Sequence, residues 1–238
     1  MSGEQRPVSV VPFWICALIA VTLGLQIAWQ ATRPAMSAPT DLPPPPRHEA
    51  LRVASFGEEA AVARLAMLYL QAFDYRASNP QSYQKLDYTR LTGWLEAILA
   101  LDPRSHYPLF SAARIYAEVP DPERSRQMLG FVYRAFLDDP NRRWPWLAHA
   151  ALIAKHRLKD LALARLYASA VQRHSNDRAA PLWAKQMEIF ILEDMNELQA
   201  ARTMIQSLLE DGSIHDPAEI LFLRQRLSEL AARQAHRR

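Results

Sequence analysis

The feature that most constrains this chain is a self-similarity at a spacing of 37 residues, found after residue 55. Asp102-Pro103 returns as Asp139-Pro140, and Tyr107-Pro108 returns as Trp144-Pro145. Bulky, small and bulky residues recur at matched places: Leu109, Trp146 and Trp183; Ala113 and Ala150; Tyr116, Ile153 and Phe190. A repeat of this length is a supersecondary unit that buries its apolar face only against its neighbours. We therefore expect a stack of similar units.

Each unit is predicted to be helical. The chain has only 6 glycines, it is rich in Ala, Leu and Arg, and these residues lose little freedom in a helix. Amphipathic runs alternate with Asp-Pro, Asn-Pro and Asn-Asp pairs, which start or stop helices. The predicted helices are 57–74, 85–101, 107–118, 122–137, 144–156, 158–174, 181–193, 197–210 and 217–232. The fold class is therefore all-α.

Three segments carry a motif within this pattern. "VARLAMLY", "LFSAARIY" and "WLAHAALI" begin at Val62, Leu109 and Trp146 and place large and small residues at fixed intervals. In the second helices Ala164, Ala168 and Ala201 fall where small residues let helices approach closely. The pattern resembles the tetratricopeptide repeat (TPR) family, although the spacing exceeds the family's about 34 residues and alanine replaces its glycine. The resemblance implies a TPR-like α-solenoid of helical hairpins.

The resemblance also implies a concave groove that receives a peptide or helix. Carried over by repeat position, the groove residues are Tyr107, Phe110, Arg114, Trp144, Leu147, Ala151 and Lys155. Arg114 and Lys155 are the candidates for binding a carboxylate by charge-assisted hydrogen bonds. An equally open alternative is that these residues pack on a neighbouring helix or on the linker. Trp146, Trp183 and His149 fall at core positions, and Pro108, Pro145 and Pro181 are expected in the first turns of helices.

The N-terminal region carries a different signal. From Val8 to Ala31 there are 24 residues without a charge, and about 20 apolar residues in a helix cross a bilayer. This predicts a single-pass signal anchor, with a cleaved signal peptide as the alternative. For a short N-terminal tail we favour a bacterial inner membrane with the C-terminal domain in the periplasm. The following "RPAMSAPTDLPPPPR", Arg33 to Arg47, is expected to be an extended spacer.

Composition and motifs weigh against several classes of site. The single cysteine, Cys16, allows no disulfide within the chain. The net charge of +3 comes from interspersed signs, which does not indicate a nucleic-acid partner. His149 and His156 stand seven places apart, about 10 Å along a helix, too far for one metal ion. No catalytic loop motif is present, so no catalytic residue, metal, cofactor or small-molecule substrate is predicted.

The predicted organisation has five parts: a tail at 1–7, a transmembrane helix at 8–31, a proline-rich linker at 32–54, the repeat domain with a C-terminal capping helix at 55–233, and a basic tail at 234–238. The expected function is a membrane-anchored scaffold that binds a protein partner and supports assembly of a membrane or envelope complex. One alternative is a structural subunit of a membrane complex. Another is an enzyme with a site between the solenoid and the loop at 75–87.

Overall fold

The computed structural model describes residues 12–32, 42–74, 82–176, 178–210, 214 and 216–235. These residues form helices and no strand, which confirms the all-α class. The chain divides into two units, residues 1–41 and residues 42–238, and each is described by itself. The predicted N-terminal tail and most of the predicted C-terminal tail lie outside the described residues.

The described part of the first unit is helix α1, Phe13–Thr32. Nine large apolar side chains of α1, from Phe13 to Trp29, are each more than half exposed, as is expected of a helix whose sequence is apolar on every face. Among the described residues, no helix reaches the combination of length and hydropathy that crossing a membrane requires. Residues 8–11 of the predicted membrane segment lie outside the described part of the chain.

The described residues of the second unit form mainly α-helices. They also include two 3-10 turns, Ser82–Lys85 and Tyr116–Glu118. The α-helices are α2 His48–Ser55, α3 Glu59–Asp74, α4 Tyr88–Leu101, α5 Tyr107–Arg114, α6 Pro122–Asp138, α7 Pro140–His156, α8 Leu161–His174, α9 Leu182–Lys185, α10 Met187–Asp194, α11 Leu198–Glu210 and α12 Pro217–Ala235. The helices overlap the predicted ones, with three differences: α2 is an addition, α7 starts earlier than predicted, and the predicted helix at 181–193 is divided into α9 and α10.

Aspartates fix the starts of the central helices. Asp87, Asp121, Asp139 and Asp160 are N-caps, and each side chain accepts a hydrogen bond from a backbone N–H of the first turn. An aspartate at this place satisfies a donor that the helix itself leaves unpaired. In α6 and α7 the next residue is a proline, whose missing N–H costs nothing at the first helical position.

The start of α7 corrects one prediction. The sequence predicts a helix start at Trp144 with Pro145 in the first turn, but α7 begins at Pro140 and Pro145 lies inside it. The reason is the N-cap Asp139, whose Oδ1 lies 3.3 Å from the Arg142 backbone nitrogen. Asp139-Pro140 therefore starts a helix, whereas the matching Asp102-Pro103 ends one at Leu101.

Helices of the second unit pack mainly on the next helix or the one after it. α3 packs on α4, α5 on α6, α7 on α8 and α10 on α11, while α4, α6 and α8 contact the pair that follows. Alanines make these contacts close: Ala164, Ala168 and Ala201 are fully buried, as predicted. One apolar cluster runs from Leu42 to Ile191, and a second, from Ile189 to Leu230, joins α10, α11 and α12.

A buried arginine ties three elements together. Arg143 is only 5% exposed. Its Nη1 donates to the Ala135 carbonyl at 2.6 Å, and its Nη2 donates to the Pro103 carbonyl at 3.0 Å. The first acceptor lies in the last turn of α6, where carbonyls lack helical partners and a cation is favoured. Arg143 therefore joins α7 to the end of α6 and to the turn after α4.

A buried glutamate holds the last helix. Glu193 on α10 is 7% exposed, and its two carboxylate oxygens lie 2.8 and 2.5 Å from Nε and Nη2 of Arg226 on α12. Arg233 lies two turns further along the same face of α12 and donates to the same carboxylate at 3.2 Å. A bidentate contact is the strongest geometry between a guanidinium and a carboxylate. It fixes α12 against α10 in addition to their apolar contacts.

The proline-rich segment is not simply a spacer. Leu42 is fully buried, and the Leu42 and Pro43 carbonyls accept hydrogen bonds from Arg90 and Trp94 of α4. Residues 48–54 of the predicted linker belong to α2, which packs on α3 and α4. The predicted spacer, Arg33 to Arg47, is therefore docked on the helices from Leu42 onward, and residues 33–41 lie outside the described part.

Candidate partner-binding surface

Helix α5 presents three of the predicted groove residues. Pro108 occupies its first turn, as predicted. Tyr107 is half-buried, and its hydroxyl accepts a hydrogen bond from the Gln71 side chain of α3. Phe110 is 38% exposed and Arg114 is exposed. The Tyr107 and Phe110 rings lie 6.4 Å apart, so one face of α5 is an aromatic surface that ends in a positive charge.

Helix α7 extends this surface with Trp146. Its ring meets Phe110 edge to face, with centroids 5.7 Å apart. Its Nε1 donates a hydrogen bond to Nδ1 of His106 at 2.9 Å. Trp146 is partly buried and packs against the apolar core, so its ring reaches this surface from the core position that the repeat pattern predicted. We call His106, Tyr107, Phe110 and Trp146 the aromatic surface.

His149 and Arg114 lie beside the aromatic surface. The His149 Nε2 atom is buried and has no hydrogen-bond partner among the described residues. Burial, and secondly the positive charge of Arg114, lower the pKa of His149 below its ordinary value, while Glu118 opposes this shift. The imidazole is therefore neutral at neutral pH. Arg114 makes no ion pair with any residue that the structure describes, so its charge is available to a partner.

Trp144 lies on the opposite side of α7 from Trp146. Its half-buried ring contacts Trp183 edge to face at 5.7 Å, which bridges α7 and α9. Trp183 itself is 56% exposed, although the repeat pattern predicted a core position. The two tryptophans form a second exposed aromatic pair, separate from the aromatic surface.

Three predicted groove residues are not available to a partner. Leu147 and Ala151 are fully buried in the core. Because α6 and α8 both pack on α7, the side of α7 that carries Leu147 and Ala151 is covered. The Lys155 Nζ lies 2.6 Å from Asp194, so its charge is already paired. Of the predicted groove residues, Tyr107, Phe110 and Arg114 therefore share one surface with Trp146, whereas Trp144 lies on the other side of α7.

A signal for this correction exists in the sequence. Leu147, Ala150, Ala151 and Ala154 stand at places i, i+3, i+4 and i+7, which is the stripe typical of a helix face in a core. Assignment by repeat position instead placed Leu147 and Ala151 in the groove. Trp146 stands beside the stripe, which predicts a partly buried ring.

A separate cleft of about 680 Å³ lies between α4, α6 and the start of α7. Its charged rim is paired internally, with Arg134 at 2.9 Å from Glu96 and Arg142 at 3.1 Å from Asp139. Among the described residues, no three His, Cys, Asp or Glu side chains are grouped to hold a metal ion. Residues 75–81, most of the loop of the enzyme alternative, lie outside the described part.

Known proteins give no further guide to the site. Comparisons with protein-family models, with curated proteins and with solved structures found no match for this chain.

Proposed function

We propose that the protein is a membrane-anchored adaptor that binds a protein partner through the aromatic surface. The observation that carries the proposal is the contact between partly exposed aromatic rings on two neighbouring helices, beside an arginine that makes no ion pair with any described residue. Tyrosine, tryptophan, phenylalanine and arginine are the residues enriched at the centres of protein interfaces. A TPR-like solenoid is the proposed architecture, supported by the 37-residue self-similarity and by the pairing of consecutive helices.

The chemistry of the surface suggests the partner segment. Phe110 and Trp146 offer apolar area, while Trp144 and Trp183 form a separate pair on the other side of α7. Arg114 offers a charge-assisted hydrogen bond, whereas His149 contributes no charge at neutral pH because its pKa is lowered. A segment with an apolar side chain followed by a carboxylate fits this arrangement.

The membrane part of the proposal rests on the uncharged stretch Val8 to Ala31 and on the exposed apolar side chains of α1. We propose one N-terminal anchor, with the helical unit on the periplasmic side of a bacterial inner membrane. There the adaptor would support assembly of an envelope complex.

Site-specific photocrosslinking in cells tests the partner surface. A photoreactive phenylalanine analogue at Phe110 is expected to capture a defined partner. The matched control is the analogue at Leu137 on α6, because Phe110 and Leu137 are similarly exposed at 38% and 44%. Trp146→Ala in the same chain should reduce the Phe110 crosslink at least about tenfold, since a buried aromatic anchor is worth about 2 kcal/mol or more. Equal capture from both positions would refute the surface.

A second candidate, a structural subunit of a membrane complex, is favoured by one observation: apolar side chains are exposed on every face of α1. In that case α1 itself packs on partners in the membrane. Replacing residues 8–31 with an unrelated anchor should then abolish assembly, whereas an adaptor should tolerate the exchange.

A further inference from the structure

The segment Leu42–Pro46 binds α4 as a ligand would. Each of residues 42–45 precedes a proline, which favours extended ψ, and residues 43–46 are prolines with φ fixed near −65°. These restrictions together give a polyproline II conformation. Arg47, which follows, continues it with φ −67° and ψ 140°. A polyproline II helix has no internal hydrogen bonds, so its carbonyls remain open to outside donors.

Helix α4 supplies those donors from one face. The Arg90 Nη1 atom donates to the Leu42 carbonyl at 2.7 Å, and the Trp94 Nε1 atom donates to the Pro43 carbonyl at 2.9 Å. Positions 90 and 94 are one helical turn apart, so they share a face. Side-chain donors and an aromatic ring that meet a preformed polyproline helix are a recurring mode of peptide recognition.

Gly93 lies between the two donors and lets the prolines approach. A Cβ atom at this position would come within 2.8 Å of Cγ and 3.3 Å of Cβ of Pro45. A proline ring cannot yield as a flexible side chain does, so any larger residue at 93 pushes the segment away. We call Arg90, Gly93 and Trp94 the proline site. In an exposed helix glycine is otherwise costly by about 1 kcal/mol relative to alanine.

We propose that the proline site is an exchangeable binding site, and that in trans it binds the Leu42–Pro46 segment of a second copy of this chain. The occupant is inferred from the contacts within one chain. Every copy carries the Leu42–Pro46 segment, which already binds the proline site. Exchange between copies recreates the same hydrogen bonds and contacts, which makes segment swapping a low-cost route to a dimer. In the monomer the chain's own segment occupies the proline site. Tethering gives this segment an effective concentration in the millimolar range, so it competes with the segment of a second copy.

Two complementary full-length variants test the proposal. Gly93→Ala blocks the proline site and leaves the segment intact, so this variant is a donor. Replacing Pro43, Pro44 and Pro45 with glycine removes the preformed ligand and leaves the site open, so this variant is an acceptor. Leu42 is retained because it is buried in the core. With different tags and in the same mild detergent, a mixture of the two is expected to form a one-to-one complex, while each variant alone does not self-associate.

Two results with these variants would overturn the proposal. Absence of a complex at about 100 µM, with both variants helical by circular dichroism, would overturn the proposal. Equal self-association of either variant alone would also overturn it, because another interface would then be responsible. If the acceptor does not fold, the wild-type chain labelled with 5-fluorotryptophan is titrated with a peptide of residues 40–47. Displacement of the ¹⁹F resonance of Trp94 supports exchange, and an unchanged resonance up to about 10 mM peptide refutes it.

Discussion

Replacing Arg143 with methionine is predicted to destabilise the second unit strongly. The change keeps an unbranched side chain on α7 but removes the donors to the Ala135 and Pro103 carbonyls, which lie 2.6 and 3.0 Å away. A buried carbonyl left without a partner costs about 1–3 kcal/mol. Removal of a buried guanidinium returns part of its desolvation cost. The net expected loss is therefore about 2–4 kcal/mol of unfolding free energy, from these same contributions.

The measurement is thermal unfolding followed by circular dichroism. For a unit of this size about 1 kcal/mol lowers Tm by about 2–4 °C, so a drop of about 4–16 °C is expected. Arg142→Met is the matched control, because among the described residues Arg142 pairs with Asp139 alone and is 44% exposed; such surface pairs contribute about 0–1 kcal/mol. Arg143→Lys should fall between the two, because one ammonium cannot reproduce both contacts. If Arg143→Met unfolds at the same temperature as Arg142→Met, the assigned role is wrong.

Three further predictions concern α12, His149 and a helix cap. Glu193→Ala removes the acceptor of Arg226 and Arg233 on α12, so amide hydrogen exchange of that helix should accelerate at least about fivefold for a loss of about 1 kcal/mol or more; Glu229→Ala, which is more exposed at 43%, should change it little. The pKa of His149 is lowered by burial below 6.5; the unfolded chain therefore binds the proton first, and stability falls as pH drops below 6.5. His149→Gln should show a smaller loss of Tm between pH 7.5 and 5.5, and an identical loss would contradict this. Asp121→Ala removes two N-cap bonds of α6 and should cost about 0.5–2 kcal/mol in urea unfolding, whereas Glu123→Ala, 86% exposed in the same turn and paired with Arg126 on the surface, should cost about 0.5 kcal/mol or less.

The local pattern of the sequence predicts the helices well, because Asp-Pro pairs and amphipathic runs act within a few residues. It predicts burial of the alanines for the same reason. The partner surface is only half predicted: Tyr107, Phe110 and Arg114 lie on it, but Leu147 and Ala151 do not. Which face of a helix is covered depends on how the neighbouring helices pack on it, here α6 and α8 on α7, and assignment by repeat position misplaced Leu147 and Ala151.

The docked proline segment could not be predicted from composition. Proline-rich stretches usually serve as spacers, and nothing in the segment itself indicates a receptor. The matching feature is on α4, where Arg90, Gly93 and Trp94 share one face. The spacing of Arg90, Gly93 and Trp94 does not by itself indicate a binding site. It does so only together with a polyproline segment whose carbonyls are free to accept hydrogen bonds.

The packing of each helix mainly on its nearest neighbours along the chain also bears on how the second unit folds and opens. Contacts that are local in sequence require little loop closure before they form, so mainly helical proteins of this kind fold in microseconds to milliseconds. A helix at either end of such an array has neighbours on one side only, and its opening leaves the middle intact. The terminal helices are thus the first places where this unit should fray on warming, and α12 is kept from doing so by the carboxylate of Glu193.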